Sequence, residues 1–498
     1  MPQILAIDAG TTGVTALLVD DKGATVRRGY REFDQHYPRP GWVEHRPEDI
    51  WQAVLGACGD VVDPGDPPVA VGITNQRETA VLWDRADLTA PCNAIVWQDR
   101  RTAAICDRLR ADGVEPAVTE ATGLRLDPYF TGTKLTWLAE HQPDVWRRVT
   151  DGGVVVGTVD SYLVARLTAG REHVTEASNA SRTLLYSIVD GRWDADLAAT
   201  FGVPMHALPE VRPNAGDFGT TDPSAFLGLR VPITGIAGDQ QAALFGQVCF
   251  TPGESKCTYG TGSFVLVNTG DRLVRSPAGL LTTVAWDIGG GPVYALEGAV
   301  FVTGAAVQWL RDGLGIIGSA PDVEALARSV DDSGGVVFVP ALTGLGAPDW
   351  DPHARGAILG ITRGTTGAHL ARATLEAIAF QVRDVVDAMT GDAAIPLAEL
   401  SVDGGASAND LLCELQAAQL GVPVRRPAVL ETTALGAAFL AGLGAGVWAS
   451  TDELRETWRL DRRFDPEPGV RDGGAHTRWR RAVERAKDWT SDPRDSVE

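Results

Sequence analysis

Residues 5–20 read LAIDAGTTGVTALLVD. An apolar run ends at Asp8, a turn of small residues follows (Ala9-Gly10-Thr11-Thr12-Gly13), and a second apolar run ends at Asp20. This pattern predicts a hairpin whose bend carries one carboxylate and two hydroxyls, with no Lys or Arg in it. Such a bend is suited to meet a polar partner. Downstream, ATVRRGYREF (24–33) offers a third strand. RPEDIWQAVLGACGDVV (46–62) opens a helix, with Pro47 in its first turn and Glu48 and Asp49 beside it. VAVGITNQ, from Val69, returns to strand. Strands in series followed by helix–strand alternation predict a mixed α/β sheet.

The same plan recurs half a chain later. ESKCTYGTGSFVLVNTGD (254–271) is again strand, Gly-Thr-Gly turn, strand. A chain of 498 residues exceeds what one core supports. Two domains of similar plan are therefore expected, 1–246 and 247–498, with the break in the Pro-Gly punctuation of FGQVCFTPGE (245–254). In the second half, residues 370–389 keep apolar positions at helical spacing. SANDLLCELQAAQLG (407–421) predicts a helix capped by Ser407 or Asn409. TTALGAAFLAGLGAGVW (432–448) predicts a small-residue helix that packs closely on its neighbours. The polar tail SDPRDSVE (491–498) is expected to fray.

Acidic residues outnumber basic ones 65 to 44, a formal charge of −21, which argues against nucleic acid or an anionic membrane as partner. Six cysteines without a CxxC pair read as reduced thiols of a cytoplasmic protein. No apolar stretch approaches the ~20 residues that span a bilayer. GxxxxGK[ST], HExxH and GxSxG are all absent.

Two Gly-Thr turns at matching places suggest one anion held between two lobes. Backbone N–H groups in tight turns point inward, Thr hydroxyls add donors, and phosphate is the natural guest. Asp8 is placed to hold Mg²⁺ through water. In GIAGDQQAALFGQ (235–247), Asp239 reads either as a helix N-cap or as a carboxylate presented at a strand end. In NQRETAVLWD (75–84), Arg77 and Glu78 read either as a surface ion pair or as ligand contacts.

At these residues the chain resembles the glycerol kinase branch of the FGGY carbohydrate kinases, almost end to end. The resemblance is carried by REFDQHYPRPGWVEHRPEDIW, GITNQRETAVLW, NAIVWQDRRTA, TGLRLDPYFTGTKLTWL, VTEASNASRTLLY, GIAGDQQAALFGQ, TYGTGSF, LEGAVFVTGAAVQWLRD and VDGGASAND. It implies two RNase H-like domains of the actin-like ATPase type, facing each other across a catalytic cleft. It implies ATP-dependent phosphorylation of glycerol to sn-glycerol 3-phosphate with Mg²⁺, by a homo-oligomer (dimer or tetramer). By motif match, Arg77, Glu78, Tyr129, Asp239 and Gln240 hold the glycerol hydroxyls, while Trp97 and Phe264 pack on its carbons. Thr11, Thr12, Gly13, Thr261, Gly304, Gln308, Gly405 and Asn409 contact the nucleotide, Asp8 lies near the metal, and Asp239 is the general base. The family's first turn usually continues to an Arg that reaches the phosphates; here that position is Thr15. Two other readings are a kinase for a four-carbon polyol such as erythritol or threitol, and a low-activity sensor that binds polyol and ATP.

Overall fold

Two sheets share one strand plan, and the duplicated hairpins sit at matching places in it. The computed structural model describes residues 1–469, 471 and 473–490, so the tail at 491–498 lies outside the described residues. The first sheet runs Ile233–Gly238, Ala70–Asn75, Gln3–Ala9, Gly13–Asp20, Thr25–Glu32. The last three strands are antiparallel neighbours, and the first three run parallel. The second sheet repeats this order with Val424–Pro427, Leu400–Asp403, Ser255–Tyr259, Ser263–Gly270 and Pro292–Val300. The parallel and antiparallel pairings are the same. Leu281–Asp287 and Leu460–Phe464 extend its two edges.

The strand sequences explain their places. Ala70–Asn75 lies between two parallel neighbours and is buried along its whole length, as a continuous small and apolar run requires. Thr25–Glu32 forms the sheet's edge and is exposed except at Gly29. A Cβ at Gly29 would come within 2.3 Å of the Ala57 carbonyl oxygen, so this glycine admits the helix Pro47–Gly59 against the strand. At the turn end of the hairpin, Asp8 is paired with Thr15 on one side and Thr74 on the other. Directly paired residues share a face, so the side chains of Thr15 and Asp8 lie on the same face of the sheet.

The small-residue helix Thr432–Gly444 crosses from the second half of the sequence to the first sheet. It packs on Ile233–Gly238, on Ala70–Asn75 and on the helix Asp239–Gly246. Backbone meets backbone there. A Cβ on Gly436 would lie 1.8 Å from the Ala242 oxygen, and one on Gly246 would lie 2.1 Å from the Thr432 oxygen. The pattern predicted close packing but not the partner, which is supplied across the chain's midpoint. The helix Asp410–Leu420 is capped by Asn409, whose side chain accepts from the Leu412 N–H at 2.9 Å. Ser407 is not the cap; its hydroxyl donates to the Gly404 carbonyl instead. No described helix is long and apolar enough to cross a membrane.

Candidate active site

The chain leaves the buried strand Ala70–Asn75 and turns at once through Gln76, Arg77 and Glu78. Glu78 has φ 59°, a left-handed conformation that side-chain-bearing residues avoid unless the surroundings fix it. The Arg77 guanidinium spends its donors on groups from three other segments. Nη1 donates to Glu297 Oε2 (2.6 Å) and Gln241 Oε1 (3.1 Å), and Nη2 donates to Glu297 Oε1 (2.9 Å) and the Tyr129 hydroxyl (3.2 Å). Nε lies 3.1 Å from Asp239 Oδ1. Arg182 completes a lattice, donating from Nε to Glu78 Oε1 (2.7 Å) and from Nη2 to Glu297 Oε1 (3.0 Å).

Arg77, Glu78, Arg182 and Glu297 are all at most 2% exposed, which overturns the reading of Arg77–Glu78 as a surface pair. Burial alone would raise the Glu297 carboxyl, but Arg182 and Arg77 outweigh it and hold it at about 2. For Glu78 burial prevails over Arg77 and Arg182, and its carboxyl is raised. Among the described residues, Oε2 of Glu78 and Nη1 of Arg182 make no hydrogen bond.

Aromatic rings stand beside this lattice. Trp97 meets Tyr129 edge-on with centroids 5.6 Å apart and Phe264 at 6.3 Å, and all three are half-buried. Tyr129 is anchored from behind by the buried Lys134, whose ammonium donates to the carbonyls of Pro128 (2.9 Å) and Tyr129. Phe264 and Glu297 come from the second sheet, so both sheets build this wall.

The first turn is tied to the same wall by side chains. The Trp97 indole N–H donates to the Thr11 hydroxyl (2.9 Å), and the Gln76 amide donates to the Gly10 carbonyl (3.1 Å). Thr79 links the two, donating to Gln76 Oε1 (2.9 Å) and accepting from the Trp97 backbone N–H (3.2 Å). Thr12 is exposed, and Gly13 is buried where a Cβ would meet the Arg31 oxygen at 2.6 Å. Asp8 accepts no hydrogen bond from a described side chain, and burial together with the Asp239 charge pushes its carboxyl up to about 7.

Asp239 is the first residue of its helix, and the cap position is Gly238, so the N-cap reading of Asp239 does not hold. Its Oδ1 accepts from the Gln240 backbone N–H (2.7 Å) and faces Arg77 Nε. Its side chain keeps 29% exposure, in contrast to the sealed lattice.

The second turn gathers the remaining expected residues through backbone contacts. The Gly304 N–H donates to the Gly260 carbonyl (3.0 Å), and the Thr303 and Ala305 N–H groups donate to the Thr261 carbonyl (2.9 and 3.2 Å). This seats the start of the helix Gly304–Asp312 on the turn, with Gln308 exposed one turn along. Gly404 packs its backbone on Tyr259, where a Cβ would lie 2.5 Å from the carbonyl oxygen. Gly405 and the cap Asn409 are thereby brought to the same strand end.

Sequence reasoning missed Arg182, Glu297, Lys134 and Gln76. Glu297 carried a signal: it is the lone carboxylate within the apolar run VYALEGAVFV, and a charge buried in a strand demands a cationic partner. Among the described residues no cluster of three or more His, Cys, Asp or Glu side chains is arranged to cage a metal.

The description "FGGY family of carbohydrate kinases, N-terminal domain" matches residues 3–246, and the corresponding C-terminal domain matches residues 255–445. The chain is similar to the glycerol kinase of Carboxydothermus hydrogenoformans, 52% identical over 493 residues that cover 98% of each chain. It is 55% identical over 495 residues to the glycerol kinase of Trichlorobacter lovleyi, covering 98% of this chain and 99% of that one. Among solved structures it is similar to the Plasmodium falciparum glycerol kinase with ADP, at 35% identity and a TM-score of 0.90, covering 98% of each chain.

Proposed function

The chain belongs to the FGGY family of carbohydrate kinases, and from that premise we propose how its residues phosphorylate glycerol with ATP. A three-carbon polyol buries little surface, so selectivity must come from pairing its hydroxyls. A pocket built that way rejects analogues lacking them, because its own buried groups are then left unpaired. Arg77 supplies donors, and Glu78, with Oε2 uncommitted, supplies an acceptor. Tyr129 and Gln240 add polar contacts, and Trp97 and Phe264 cover the carbons.

Asp239 takes the proton from the terminal hydroxyl as its oxygen attacks the γ-phosphorus. The new P–O bond replaces the bond to ADP, and the carboxylate later releases the proton to water. A positioned base of this kind contributes ~10²–10⁴-fold. Alignment of the two substrates and charge neutralisation at the transferred group supply the larger share.

Thr11, Thr12 and Gly13 on one side and Thr261, Gly304 and Gln308 on the other receive the phosphates, with Gly405 and Asn409 toward the nucleoside. Asp8 fits a divalent cation: among the described residues its carboxylate has no cationic partner and no side-chain donor, and burial and the Asp239 charge raise its pKa. Mg²⁺ is commonly held by one or two carboxylates plus substrate phosphates, without a protein cage. When bound it neutralises charge on the transferred phosphoryl group. We divide the chain into domains at 1–246 and 247–498, with Thr432–Gly444 lying on the first sheet.

The observation that carries this reading is the partly exposed Asp239 carboxylate, held by Arg77 at the edge of a sealed hydroxyl-pairing lattice. ADP release coupled to a polyol panel tests it. Glycerol supports turnover, while erythritol, threitol and buffer give rates lower by at least about tenfold. A four-carbon polyol that outperforms glycerol contradicts it.

A further inference from the structure

Two of the four lysines, Lys134 and Lys256, are fully buried. Carbonyl oxygens account for Lys134. Lys256 has no role in the site so far. It stands in the strand Ser255–Tyr259, and its ammonium donates to Gln240 Oε1 and to the Thr258 hydroxyl (2.7 Å). Asp403 and Asp239 contribute the nearby negative charge.

An ammonium has donors and no acceptor, so only the amide oxygen of Gln240 can face it. The Gln240 NH₂ is therefore turned the other way. Among the described residues, that NH₂ donates no hydrogen bond, although the side chain is 6% exposed and directly follows Asp239. A buried amide with its oxygen committed and its donors free is a ready partner for a ligand oxygen.

We propose that Lys256 is a positioning residue for the polyol: it locks Gln240 as a hydrogen-bond donor, so that one glycerol hydroxyl must accept from it. This rests on the reading that Gln240 contacts glycerol. A hydroxyl that accepts from Gln240 keeps its own proton for a carboxylate, which fixes its orientation in the pocket. Lys256 acts on the polyol through Gln240.

A double-mutant cycle separates this from a merely structural role. Lys256→Met frees the amide to rotate and raises the glycerol KM about tenfold, leaving the ATP KM within about twofold. Gln240→Leu raises the glycerol KM by a similar factor, and the double variant is no worse than Gln240→Leu alone. Gln240→Glu supplies an independent test that leaves Lys256 in place. A carboxylate accepts from the ammonium but has no donor for glycerol, so the glycerol KM rises about tenfold.

If Gln240→Leu leaves the glycerol KM unchanged, the assignment of Gln240 to the pocket falls, and the proposal falls with it. If Gln240→Leu raises the KM but the Lys256→Met effect is absent or adds in full, the assignment stands and the proposal is overturned. Should Lys256→Met not fold, Gln240→Glu decides alone: a wild-type glycerol KM in that variant contradicts the proposal.

Discussion

The two Gly-Thr turns occupy equivalent places in two similar sheets, yet they are held differently. The first, at residues 10–13, is fastened chiefly by side chains, Gln76 to the Gly10 carbonyl and Trp97 to the Thr11 hydroxyl, beside one long backbone bond from the Phe33 N–H to the Thr12 carbonyl (3.4 Å). Both side-chain fasteners belong to the wall around Arg77 and the aromatic rings. The second, at 260–262, is fastened by backbone: the N–H groups of residues 303–305 donate to the carbonyls of Gly260 and Thr261. The difference teaches that the first turn shares its supports with the wall around Arg77, whereas the second depends on the close approach that its glycines permit.

The largest effect is expected at the second turn. A Cβ on Gly262 would lie 2.3 Å from the Val300 carbonyl oxygen, and backbone cannot rotate out of the way. Gly262→Ala lowers kcat/KM for ATP by roughly 10²-fold, the scale of an ångström's misplacement at a reacting group. Gly10→Ala, whose Cβ meets only the Gly13 oxygen at 3.3 Å, stays within about threefold. Equal losses in steady-state assays of the two variants break the comparison.

The next test cuts the fastener at the first turn. Trp97→Phe keeps an aromatic ring but removes the N–H that reaches Thr11, a bond worth about 1 kcal/mol or several-fold in affinity. The KM values for glycerol and ATP rise together. A rise confined to glycerol shows that the wall and the turn are not linked through this bond.

A smaller change is expected from Thr15→Arg. The register puts residue 15 beside Asp8 on the first turn's flank. A cation there supplies a charge-assisted contact that this chain lacks, improving nucleotide affinity or turnover about threefold. If initial rates and nucleotide affinity are both unchanged, the first turn does not need that charge.

The gentlest test is electrostatic and addresses the buried polar network around Glu176. Burial and the neighbouring Asp160 charge push Glu176 up to about 7, and Asp160 is itself raised. In the unfolded chain a glutamate ionises near its ordinary value of about 4.3. The folded state therefore holds the proton longer, and stability falls as the pH climbs from about 4 to about 7. Asp160→Asn removes the repelling charge, and Thr158 and Thr175, its hydroxyl partners, are free to reorient. Between pH 5 and pH 8 this variant loses about 2–4 °C less in melting temperature than the wild type. An equal loss in thermal unfolding contradicts the coupling.

The duplicated hairpins were legible in the sequence because a small-residue turn between apolar runs has few other uses. Arg77, Glu78 and Asp239 were visible as charges at strand ends, but their surroundings were not. Glu297 lies about two hundred residues from Arg77, and nothing local to either announces the other. The left-handed conformation of Glu78 depends on the lattice around it and leaves no mark on composition. Gly436 and Gly246 showed that something packs closely, but the partner was fixed only when Thr432–Gly444 crossed to the first sheet. Gln76 was invisible for a different reason: its role lies in the two groups that its amide bridges, the Gly10 carbonyl and the Thr79 hydroxyl.

The proposed base, Asp239, offers the most direct test. Single-turnover phosphorylation of glycerol by Asp239→Asn should be ~10²–10⁴-fold slower than by the wild type. Glycerol binding, measured by calorimetry, should stay within about fivefold, because Arg77, Glu78 and the aromatic wall remain. A variant that transfers phosphate at the wild-type rate would contradict the account.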